Sequence, residues 1–419
     1  MTSYAAFLGH QPHLSIAELS ATIPDLAIRR IVHGYTKGSS RTVIIFDSAL
    51  TLDPAYLSTL GGTVSIAQGV PAAIHTDAVP KLMQSDVANV RGKVTFALRT
   101  MGMEPKAVRD LYRRCKEQLR KAGRPSRYVG TDREPAPAIL LHDAGLITGK
   151  HGRELTVIMD KSNDEEFLWI GRTVAAQDIE AYVKRDMKKP VRDTTVGLLP
   201  PKLAQIMLNL GAWLTGRTAV KEETRRRSSL VIFDPFCGTG VIPLEALLRG
   251  FPILASDKSQ KAVTGCEKNL EWIRKEEKIF KKDVPSTVWK QDATRPFELK
   301  TKPDVIVTET TLGPPLSGRP TQKDVQAWKR ENEETQRGFL QAVAQSLPGT
   351  PIVCTWPVWY LRKDHAYLEK AWDAVREAGY EAVLPPNTEL GENRRMSILY
   401  RRPDQFVARE IVMLRPRKM

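Results

Sequence analysis

The sequence predicts an α/β protein in which a C-terminal region with a parallel sheet follows smaller modules of mixed α+β structure. Two observations lead to this prediction. After about residue 230, short apolar runs alternate with helical patterns, which is typical of parallel strands joined by crossover helices. Before about residue 180, strands and helices mix without that alternation. The length of 419 residues and the hydrophobic content of 42% are sufficient for two or three globular domains.

Composition narrows the functional classes. The chain carries 63 Lys and Arg residues against 48 Asp and Glu, and this net charge of +15 favours polyanionic partners. The four cysteines form no C-x-x-C pair, which argues against a structural zinc site and fits a reducing cytoplasm. No apolar run reaches the roughly 18 residues of a membrane span, and the first residues do not resemble a signal peptide. We therefore expect a cytoplasmic protein with neither a metal nor a membrane partner, and its oligomeric state stays open.

The first module covers residues 1–78. It is predicted to begin with a strand at Tyr4–Leu8, followed by a helix from about Ser15, because Ser15 and Glu18 form a capping-box pattern. Two further strands are expected, one at Thr42–Phe46 and one within Leu60–Ala67, after a Gly-Gly turn. This order is typical of a small α+β module.

The second module covers residues 79–175. We expect a strand at Lys93–Leu98, then a basic helix, then three strand-like runs at Ala138–Leu141, Glu154–Met159 and Glu166–Ile170. The module has neither a glycine-rich phosphate loop nor a cluster of catalytic residue types. It is therefore predicted to bind a partner rather than to catalyse a reaction.

The basic helix of this second module has one apolar face and one basic face. Residues 91–133 contain thirteen Lys and Arg against four acids, whereas residues 1–90 have a net charge of −1. Such a helix suits contact with a phosphate backbone, and the alternative is a solvated surface helix. The candidate nucleic-acid-binding residues are Arg109, Arg113, Arg114, Arg120, Lys121 and Arg124.

A helical linker is predicted over residues 176–195, and a third region covers residues 196–419. Within this region, residues 221–229 are expected to form a solvated loop and residues 401–411 a terminal hairpin. The expected strands of the parallel sheet are Leu230–Phe233, Ile253–Ala255, Thr287–Lys290 and Asp304–Val307.

The strongest chemical signal is the segment Asp234–Gly240, in which a strand ends in an acid and a Gly-x-Gly turn enters a helix. Glycine permits a positive φ and a close approach of the backbone to a ligand, and a helix N-terminus offers free N–H groups. Pro243 occupies the third glycine position of a dinucleotide motif, so the motif is not that of a dinucleotide site. The candidate cofactor-binding residues in this segment are Asp234, Phe236, Cys237, Gly238, Thr239 and Gly240.

Acids also end the next two predicted strands. Asp257 lies 17 positions after Gly240, near the distance at which an acid meets ribose hydroxyls, and Asp292 could bond to an adenine amino group. For any one of these acids, the alternative is a turn residue or a helix cap. Four further candidate cofactor contacts, beside these acids or at the start of the helix that precedes the sheet, are Lys258, Ala293, Pro200 and Lys202.

The fourth predicted strand leads into the segment Glu309–Leu312. A carboxylate at this strand end could accept a hydrogen bond from an amino or hydroxyl group under attack, and the alternative is a proline-rich surface loop. A later strand at Pro351–Thr355 is followed by Trp356 and Trp359, which either wall a pocket for a base or pack in the core.

Several of these segments resemble the class I S-adenosylmethionine-dependent methyltransferases. Together with the upstream modules, they are similar to the THUMP-domain tRNA guanine-N2-methyltransferases of the guanosine-10 type. Asp234–Gly240 resembles the cofactor loop of that family almost letter for letter, and residues 197–210 are very like the segment that precedes its catalytic domain. Gly9–Leu19 and Leu60–Val64 resemble landmarks of its N-terminal region, so the resemblance covers nearly the whole chain.

The resemblance implies a Rossmann-like class I methyltransferase domain over residues 196–419, preceded by a ferredoxin-like module and a THUMP RNA-binding domain. It also implies S-adenosyl-L-methionine as the cofactor, tRNA as the partner, and the exocyclic N2 amino group of a guanosine as the methyl acceptor. Glu309, Thr310, Thr311 and Leu312 would then occupy the catalytic positions.

One motif departs from the family pattern. The family usually carries Asp-Pro-Pro-Tyr-Gly after the fourth strand, where the acid orients the amino nitrogen and the tyrosine stacks on the base. Here Glu309 takes the place of the acid, and Leu312, which has no π face, takes that of the tyrosine. In the alternative register, residues 313–316 align with the motif and the acid is lost. The alternatives to a tRNA guanine-N2-methyltransferase are a methyltransferase with a different RNA or DNA amino target, and a tRNA-binding protein with reduced or no turnover.

Overall fold

The computed structural model of the protein describes residues 1–419 except 25, 37–38, 72–74, 164, 194–197, 218–229, 317 and 418–419. The chain forms two compact units, the first made of residues 1–15 and 23–182 and the second of residues 16–22 and 183–419. The predicted loop 221–229 therefore lies outside the described residues, as does the start of the family-like segment 197–210.

The first unit is a sheet flanked by helices. Its strands are β1 (Thr2–Leu8), β2 (Ala27–Thr36), β3 (Ser39–Ser48), β4 (Thr63–Gly69), β5 (Val94–Met101), β6 (Ser126–Val129), β7 (Gly152–Asn163) and β8 (Glu165–Ala176). The helices along this part of the chain are α1 (Pro12–Thr22), α2 (Pro54–Leu57), α3 (Ala78–Asp86), α4 (Pro105–Lys121) and α5 (Ala138–Asp143).

One sheet contains all eight of these strands, in the order β2-β3-β1-β4-β8-β7-β5-β6. β4 belongs to the predicted first module and β8 to the second, and the two strands pair antiparallel. The two predicted modules thus share a continuous sheet, and the boundary at residue 78 stays a prediction.

Three local predictions for this unit are wrong. Ala138–Leu141 lies in α5 rather than in a strand: Ala138 and Leu141 are buried while Ile139 and Leu140 are about 40% exposed, as a helical period requires. The periodicity of so short an apolar run cannot distinguish the two structures. The first helix begins at Pro12, where the missing N–H of proline costs nothing, and the Ser15 hydroxyl donates to the carbonyl of Gly62 at 2.6 Å instead of capping the helix.

The basic helix is confirmed as α4. Its buried residues are the apolar ones that the sequence indicates, namely Val108, Leu111, Cys115 and Leu119. Of these, Leu111, Cys115 and Leu119 pack against the β5 and β7 side chains of the same unit, including Phe96 and Val157. The basic face of the helix is therefore turned away from this core.

The larger segment of the second unit, residues 183–419, begins within the linker. The linker helix α6 (Ile179–Met187) starts later than predicted because β8 continues to Ala176. The remaining helices are α7 (Pro201–Leu214), α8 (Val241–Leu248), α9 (Gln260–Glu277), α10 (Gln322–Ser346) and α11 (Ala371–Glu377). The strands are β9 (Ile232–Asp234), β10 (Ile253–Asp257), β11 (Ser286–Lys290), β12 (Val305–Glu309), β13 (Ile352–Tyr360), β14 (His365–Ala366), β15 (Tyr380–Ala382), β16 (Ile398–Tyr400) and β17 (Val407–Pro416).

The predicted parallel sheet is confirmed. The strand order is β11-β10-β9-β12-β13-β17-β15, and the strands from β11 to β13 are parallel. β16 and β17 pair antiparallel, which confirms the terminal hairpin. In the described part of the chain, no helix is long and apolar enough to cross a membrane.

Helices cover both faces of this sheet. Along β12, Ile306 faces the core that contains Phe339 of α10, whereas Val305 and Val307 lie against Gly211 of α7. Alternate residues of a strand point to opposite faces, so α7 and α10 lie on opposite sides. This doubly wound arrangement puts the carboxyl ends of the parallel strands at one edge, where ligands of such sheets bind.

Candidate functional site

The glycine loop between β9 and α8 lies at the carboxyl edge of the sheet. Gly240 has a φ of 85°, and a Cβ at this position would lie 2.6 Å from the Sγ of Cys266 on α9. Gly238 has a φ of 49°, but a Cβ there would meet no described atom within 4 Å. Gly240 is therefore required for packing against α9, while Gly238 keeps open space beside the loop. The N–H of Cys237 donates to the carbonyl of Ser256 at 2.9 Å and fixes the loop to β10.

Asp234 joins this loop to the neighbouring strand. Its side chain is buried and accepts a hydrogen bond from the Thr308 hydroxyl of β12 at 2.6 Å and from the N–H of Phe236 at 3.2 Å. Burial raises the pKa of Asp234 to about 8, and the nearby carboxylates of Asp257 and Glu309 add to the rise. The protonated form is therefore favoured in the free protein near neutral pH, and a bound cation would favour the ionised form.

Asp257 supports the loop from β10. Its carboxylate accepts the N–H of Gly238 at 3.0 Å and the N–H of Ser259, which is the N-cap of α9, at 2.8 Å. The alternative of a turn and cap residue thus describes its contacts within the chain. A carboxylate has about four acceptor positions, so these two bonds leave capacity for a ligand hydroxyl.

Asp292 lies two residues after the end of β11 and is exposed. It accepts the backbone N–H and the hydroxyl of Thr294 at 2.9 and 2.8 Å, and these bonds lower the pKa of Asp292, with a smaller effect of the Lys258 ammonium. The carboxylate is therefore ionised and turned to solvent at this edge. Ala293 is buried in the core, and Lys258 is exposed.

Glu309 ends β12, as the first of the two predicted registers requires. Its carboxylate Oε1 accepts a hydrogen bond from Nε of Arg409, a buried residue of β17, and the two side chains form an ion pair. Burial raises the pKa of Glu309, and the Arg409 charge opposes that rise. Arg409 also donates to the carbonyl of Leu198 at 3.4 Å, so it ties the segment before α7 to this strand end.

Arg409 is not among the functional residues predicted from the sequence. The residue lies within the predicted terminal hairpin 401–411, for which only a structural role was expected. One signal was present: an Arg-Glu pair interrupts the apolar run of residues 407–414, and a charge in a central strand must find a partner. The partner itself lies 100 positions away, so no local pattern could identify it.

The residues after Glu309 differ in their burial, and the first of them is fixed by hydrogen bonds. Thr310 is buried, donates to the carbonyl of Thr355 at 2.5 Å and accepts from the Gln336 amide at 2.9 Å. Thr311 is exposed, and Leu312 is partly buried. The hydroxyl of Thr310 thus fixes the position where the resembled family carries a proline.

The two tryptophans of β13 are core residues. The Trp356 ring meets the Trp372 ring edge to face at 5.0 Å, and Trp359 lies 6.3 Å from the ring of Trp328. Both tryptophan side chains are fully buried, which favours the second of the two alternatives, packing in the core.

Two candidates precede the sheet. Pro200 is the N-cap residue of α7 and has extended backbone angles, and Lys202 is exposed in the first turn of that helix. The bond from Arg409 to the carbonyl of Leu198 brings the start of this segment to the end of β12. A contact of Pro200 or Lys202 with a cofactor stays a prediction.

In the first unit, the basic face of α4 is only partly available. Arg109 pairs with Asp132, Arg114 pairs with Asp77 at 2.7 Å, and Arg113 lies 3.9 Å from Asp110. Arg120 and Lys121 are exposed. The Arg124 guanidinium has a structural contact instead, because it donates to the carbonyls at the end of α3, namely those of Val87, Ala88 and Val90.

Within the described residues, no group of three His, Cys, Asp or Glu side chains could hold a metal ion. The arrangement at the sheet edge is instead one of carboxylates and backbone groups. It can bind a ligand with hydroxyl and amino groups along β9 to β11 and orient an acceptor at β12.

Comparison with known proteins supports the resemblance. No model of a protein family matches the chain. It is 30% identical over 224 residues to the tRNA (guanine(10)-N2)-dimethyltransferase of Methanothermobacter thermautotrophicus, over 54% of this chain and 56% of the relative. The chain thus spans about half the length of the curated relative that it matches. This relative confirms the resemblance inferred from the motifs, whereas the THUMP domain stays a prediction.

Solved structures that align with the chain include two methyltransferases. Magnesium protoporphyrin IX methyltransferase from Synechocystis PCC 6803, with bound SAH, is 13% identical over 57% of this chain and 98% of that one, with a TM-score of 0.34. A putative RNA methyltransferase from Pyrococcus horikoshii is 14% identical over 54% of this chain and 91% of that one, with a TM-score of 0.31.

The raised pKa of Asp234 predicts a specific pH dependence of stability. In the unfolded chain this carboxyl ionises near pH 4, whereas in the fold it holds its proton up to about pH 8. The stabilisation is therefore fully present below about pH 4 and is lost as the pH rises through about 8, with a slope of at most about 1.4 kcal/mol per pH unit. We expect Asp234→Asn to remove this component from the free energy of unfolding measured by urea denaturation across that range.

The matched control is Asp404→Asn, which changes an exposed carboxylate. This variant should keep the pH dependence of the wild type. Equal slopes for the wild type and Asp234→Asn would contradict the assignment of a protonated Asp234.

Proposed function

We propose that the protein is an S-adenosylmethionine-dependent RNA methyltransferase that acts on the exocyclic N2 amino group of a guanosine in tRNA, at a position of the guanosine-10 type. One observation carries the proposal. Thr308, which donates to Asp234, directly precedes Glu309, and Asp234 directly precedes the glycine loop. A cofactor on the loop and an acceptor at Glu309 would therefore be neighbours at one sheet edge.

The residues present fit S-adenosylmethionine. The open space at Gly238 allows a ligand to approach the loop backbone, as a side chain there would not. Asp257 ends β10 and Asp292 follows the end of β11, and both offer acceptors for ribose hydroxyls and for an amino group. When bound, this cofactor supplies a methyl group activated by its positive sulfur. A positive charge at the loop would lower the raised pKa of the buried Asp234 carboxyl and so favour its ionised form.

Glu309 is positioned to orient the acceptor. Arg409 bonds to its Oε1, which leaves Oε2 to accept an N–H of the amino group. The ion pair also limits the rise in the pKa of Glu309 that burial causes, and so favours the accepting carboxylate. Little acid–base chemistry is needed, because the main contribution of the protein is to align the nitrogen with the methyl group. The proton leaves the methylated nitrogen afterwards.

The RNA would be held mainly by its phosphates. The exposed basic residues of α4, such as Arg120 and Lys121, suit contacts to the body of a tRNA that fix its position without reading sequence. The target base would leave its stack to reach the sheet edge, at a cost of a few kcal/mol. A tRNA substrate implies that the protein acts in the cytoplasm.

A second candidate function is tRNA binding with little or no turnover. It is favoured by the ion pair of Glu309 with Arg409 and by Leu312, which offers no aromatic face to a base. Both candidates predict binding of tRNA, and only the first predicts a methylated product.

Transfer of radiolabelled methyl groups from S-adenosylmethionine to unmodified total tRNA tests the proposal. We expect incorporation, and nucleoside analysis of the digested product should give N2-methylguanosine or its dimethyl form. A different methylated nucleoside would move the target atom. Absence of incorporation, with cofactor and tRNA binding shown separately, would favour the second candidate.

The role of Arg409 as a positioning residue is tested by Arg409→Met. Loss of the guanidinium leaves a buried carboxylate without its cation, so we expect kcat to fall by about 10²-fold. The acid limb of the pH profile of kcat should also move to higher pH, because the pKa of Glu309 is no longer lowered by the charge. The affinity for S-adenosylmethionine should remain close to that of the wild type.

The matched control is Arg395→Met. Arg395 forms an ion pair with Glu410, the neighbour of Arg409 on β17, with Nε and Oε1 2.6 Å apart and both side chains largely buried. Both variants should lose stability, by about 3–5 kcal/mol. A pH profile that is unchanged in Arg409→Met, or equally displaced in Arg395→Met, would contradict the assignment.

A further inference from the structure

Beyond the end of β12, β13 and β17 continue the sheet as a ribbon, with the short strands β14 and β16 paired along its edges. Thr355 of β13 is the partner of Glu309 in the parallel ladder, and β13 runs on for five residues to Tyr360. β17 accompanies it antiparallel as far as the pair Trp359–Val407. At about 3.3 Å per residue, the ribbon extends about 16 Å past the proposed acceptor site.

Three loops meet at the end of this ribbon. They are the segment after β12, the turn 361–364 between β13 and β14, and the connection 401–406 between β16 and β17. The N–H of Tyr360 donates to the carbonyl of Phe406 at 2.8 Å, which joins the second and third loops. Arg319 of the first loop donates to the carbonyl of Leu361 at 3.5 Å and lies 5.5 Å from the centre of the Phe406 ring.

These loops carry a group of exposed basic residues, which we call the basic rim. Two acids, Asp364 and Asp404, lie in the same loops, so basic side chains are in excess. The Asp364 carboxylate accepts the N–H of His365 at 2.8 Å. The basic rim consists of Arg319, Arg362, Lys363, Arg401 and Arg402.

The charges of the basic rim differ from those on the helices α10 and α11 of this unit. On α10 and α11, Arg337 pairs with Glu377 and Arg376 pairs with Asp373. Among the described residues, Arg362 and Lys363 form no such ion pair. Their positive charge is thus available to a polyanion, while that of the helices is largely neutralised.

Two guanidinium groups of the basic rim are held in place by aromatic side chains. The guanidinium carbon of Arg401 lies 3.8 Å from the centre of the Tyr360 ring, and Nε of Arg402 donates to the hydroxyl of Tyr400 at 3.0 Å. A guanidinium on an aromatic ring is partly ordered before a ligand arrives, so less side-chain entropy is lost on binding. Planar guanidinium and aromatic groups also serve as stacking surfaces for unpaired bases.

We propose that the basic rim binds the RNA strand that flanks the target nucleotide, by contacts to phosphates and by stacking. This inference rests on the proposed function. It assigns the second unit a nucleic-acid surface of its own, continuous with the edge that carries Glu309. A strand splayed out to present one base needs such support beside the site, because its own helix no longer holds it.

The test compares two variants of the full chain that change the net charge equally. The rim variant is R362E/K363E/R401E/R402E. The control, K275E/K281E/K282E/K300E, reverses four exposed lysines near the amino-terminal ends of β11 and β12, at the opposite edge of the sheet. Binding of unmodified tRNA is measured by filter retention between about 50 and 200 mM salt.

We expect the rim variant to bind tRNA at least about tenfold more weakly than the control variant. The slope of log K for tRNA binding against log salt concentration is negative, and its magnitude should decrease by about 0.7 for each phosphate that the protein no longer neutralises. The KM for tRNA should rise, while kcat at saturating tRNA and the affinity for S-adenosylmethionine should stay close to those of the wild type. A milder variant, R401A/R402A, should show the same effects to a smaller degree, which guards against misfolding of the fourfold variant.

Equal losses of tRNA affinity in the rim and control variants would overturn the inference, because net charge alone would explain them. The inference would also fail if the rim variant kept its tRNA affinity but lost binding to vesicles of phosphatidylglycerol and phosphatidylcholine, since the surface would then recognise an anionic membrane. A wild-type protein that binds no tRNA at all would contradict the proposed function itself, which separates the two failures.

Discussion

The hydrogen bond between the Thr308 hydroxyl and the Asp234 carboxyl group connects the two halves of the candidate site. It joins the ends of β9 and β12, so the glycine loop and Glu309 emerge side by side. The bond is made in a buried place, where a carboxyl group keeps its proton to about pH 8. Asp257 repeats this role on the other flank, because its carboxylate receives the N–H of Gly238. The acids at the strand ends therefore first hold the loop in shape, and this fixed shape leaves open space beside Gly238 for a ligand.

Side-chain hydrogen bonds hold the segment after β12 in place. Where the resembled family carries a proline, the Thr310 hydroxyl fixes the chain by bonds to the carbonyl of Thr355 and to the amide of Gln336. Where a shorter acid is usual, Glu309 is held by Arg409, which also bonds to the carbonyl of Leu198. Side-chain hydrogen bonds thus replace backbone stiffness at this position. Leu312 has no such substitute, so the contribution of an aromatic stack to base binding is absent from this segment.

The sequence was most informative where the structural cause is local. The strands of the second unit and the loop Asp234–Gly240 follow from apolar runs and from glycines that need positive φ, and each depends on a few adjacent residues. The error at Ala138–Leu141 has the opposite origin, since four apolar residues fit either a strand or a helix and the surrounding unit decides. The hydrogen-bond partners of buried polar groups could not be predicted from the sequence either. Ser15 bonds to Gly62, and Arg409 bonds to Glu309, and such pairs are set by topology rather than by spacing.

The central claim is that the glycine loop that follows Asp234 in the chain holds the cofactor. Isothermal titration of the full chain with S-adenosylmethionine tests it most directly, with Asp234→Ala compared with Asp304→Ala. Asp304 also bonds within this sheet, to the N–H of Val231 at 2.8 Å, but it lies at the opposite edge. We expect the wild type and Asp304→Ala to bind the cofactor and Asp234→Ala not to bind it. All three proteins should still bind tRNA. Cofactor affinity of Asp234→Ala equal to that of the wild type would contradict the claim.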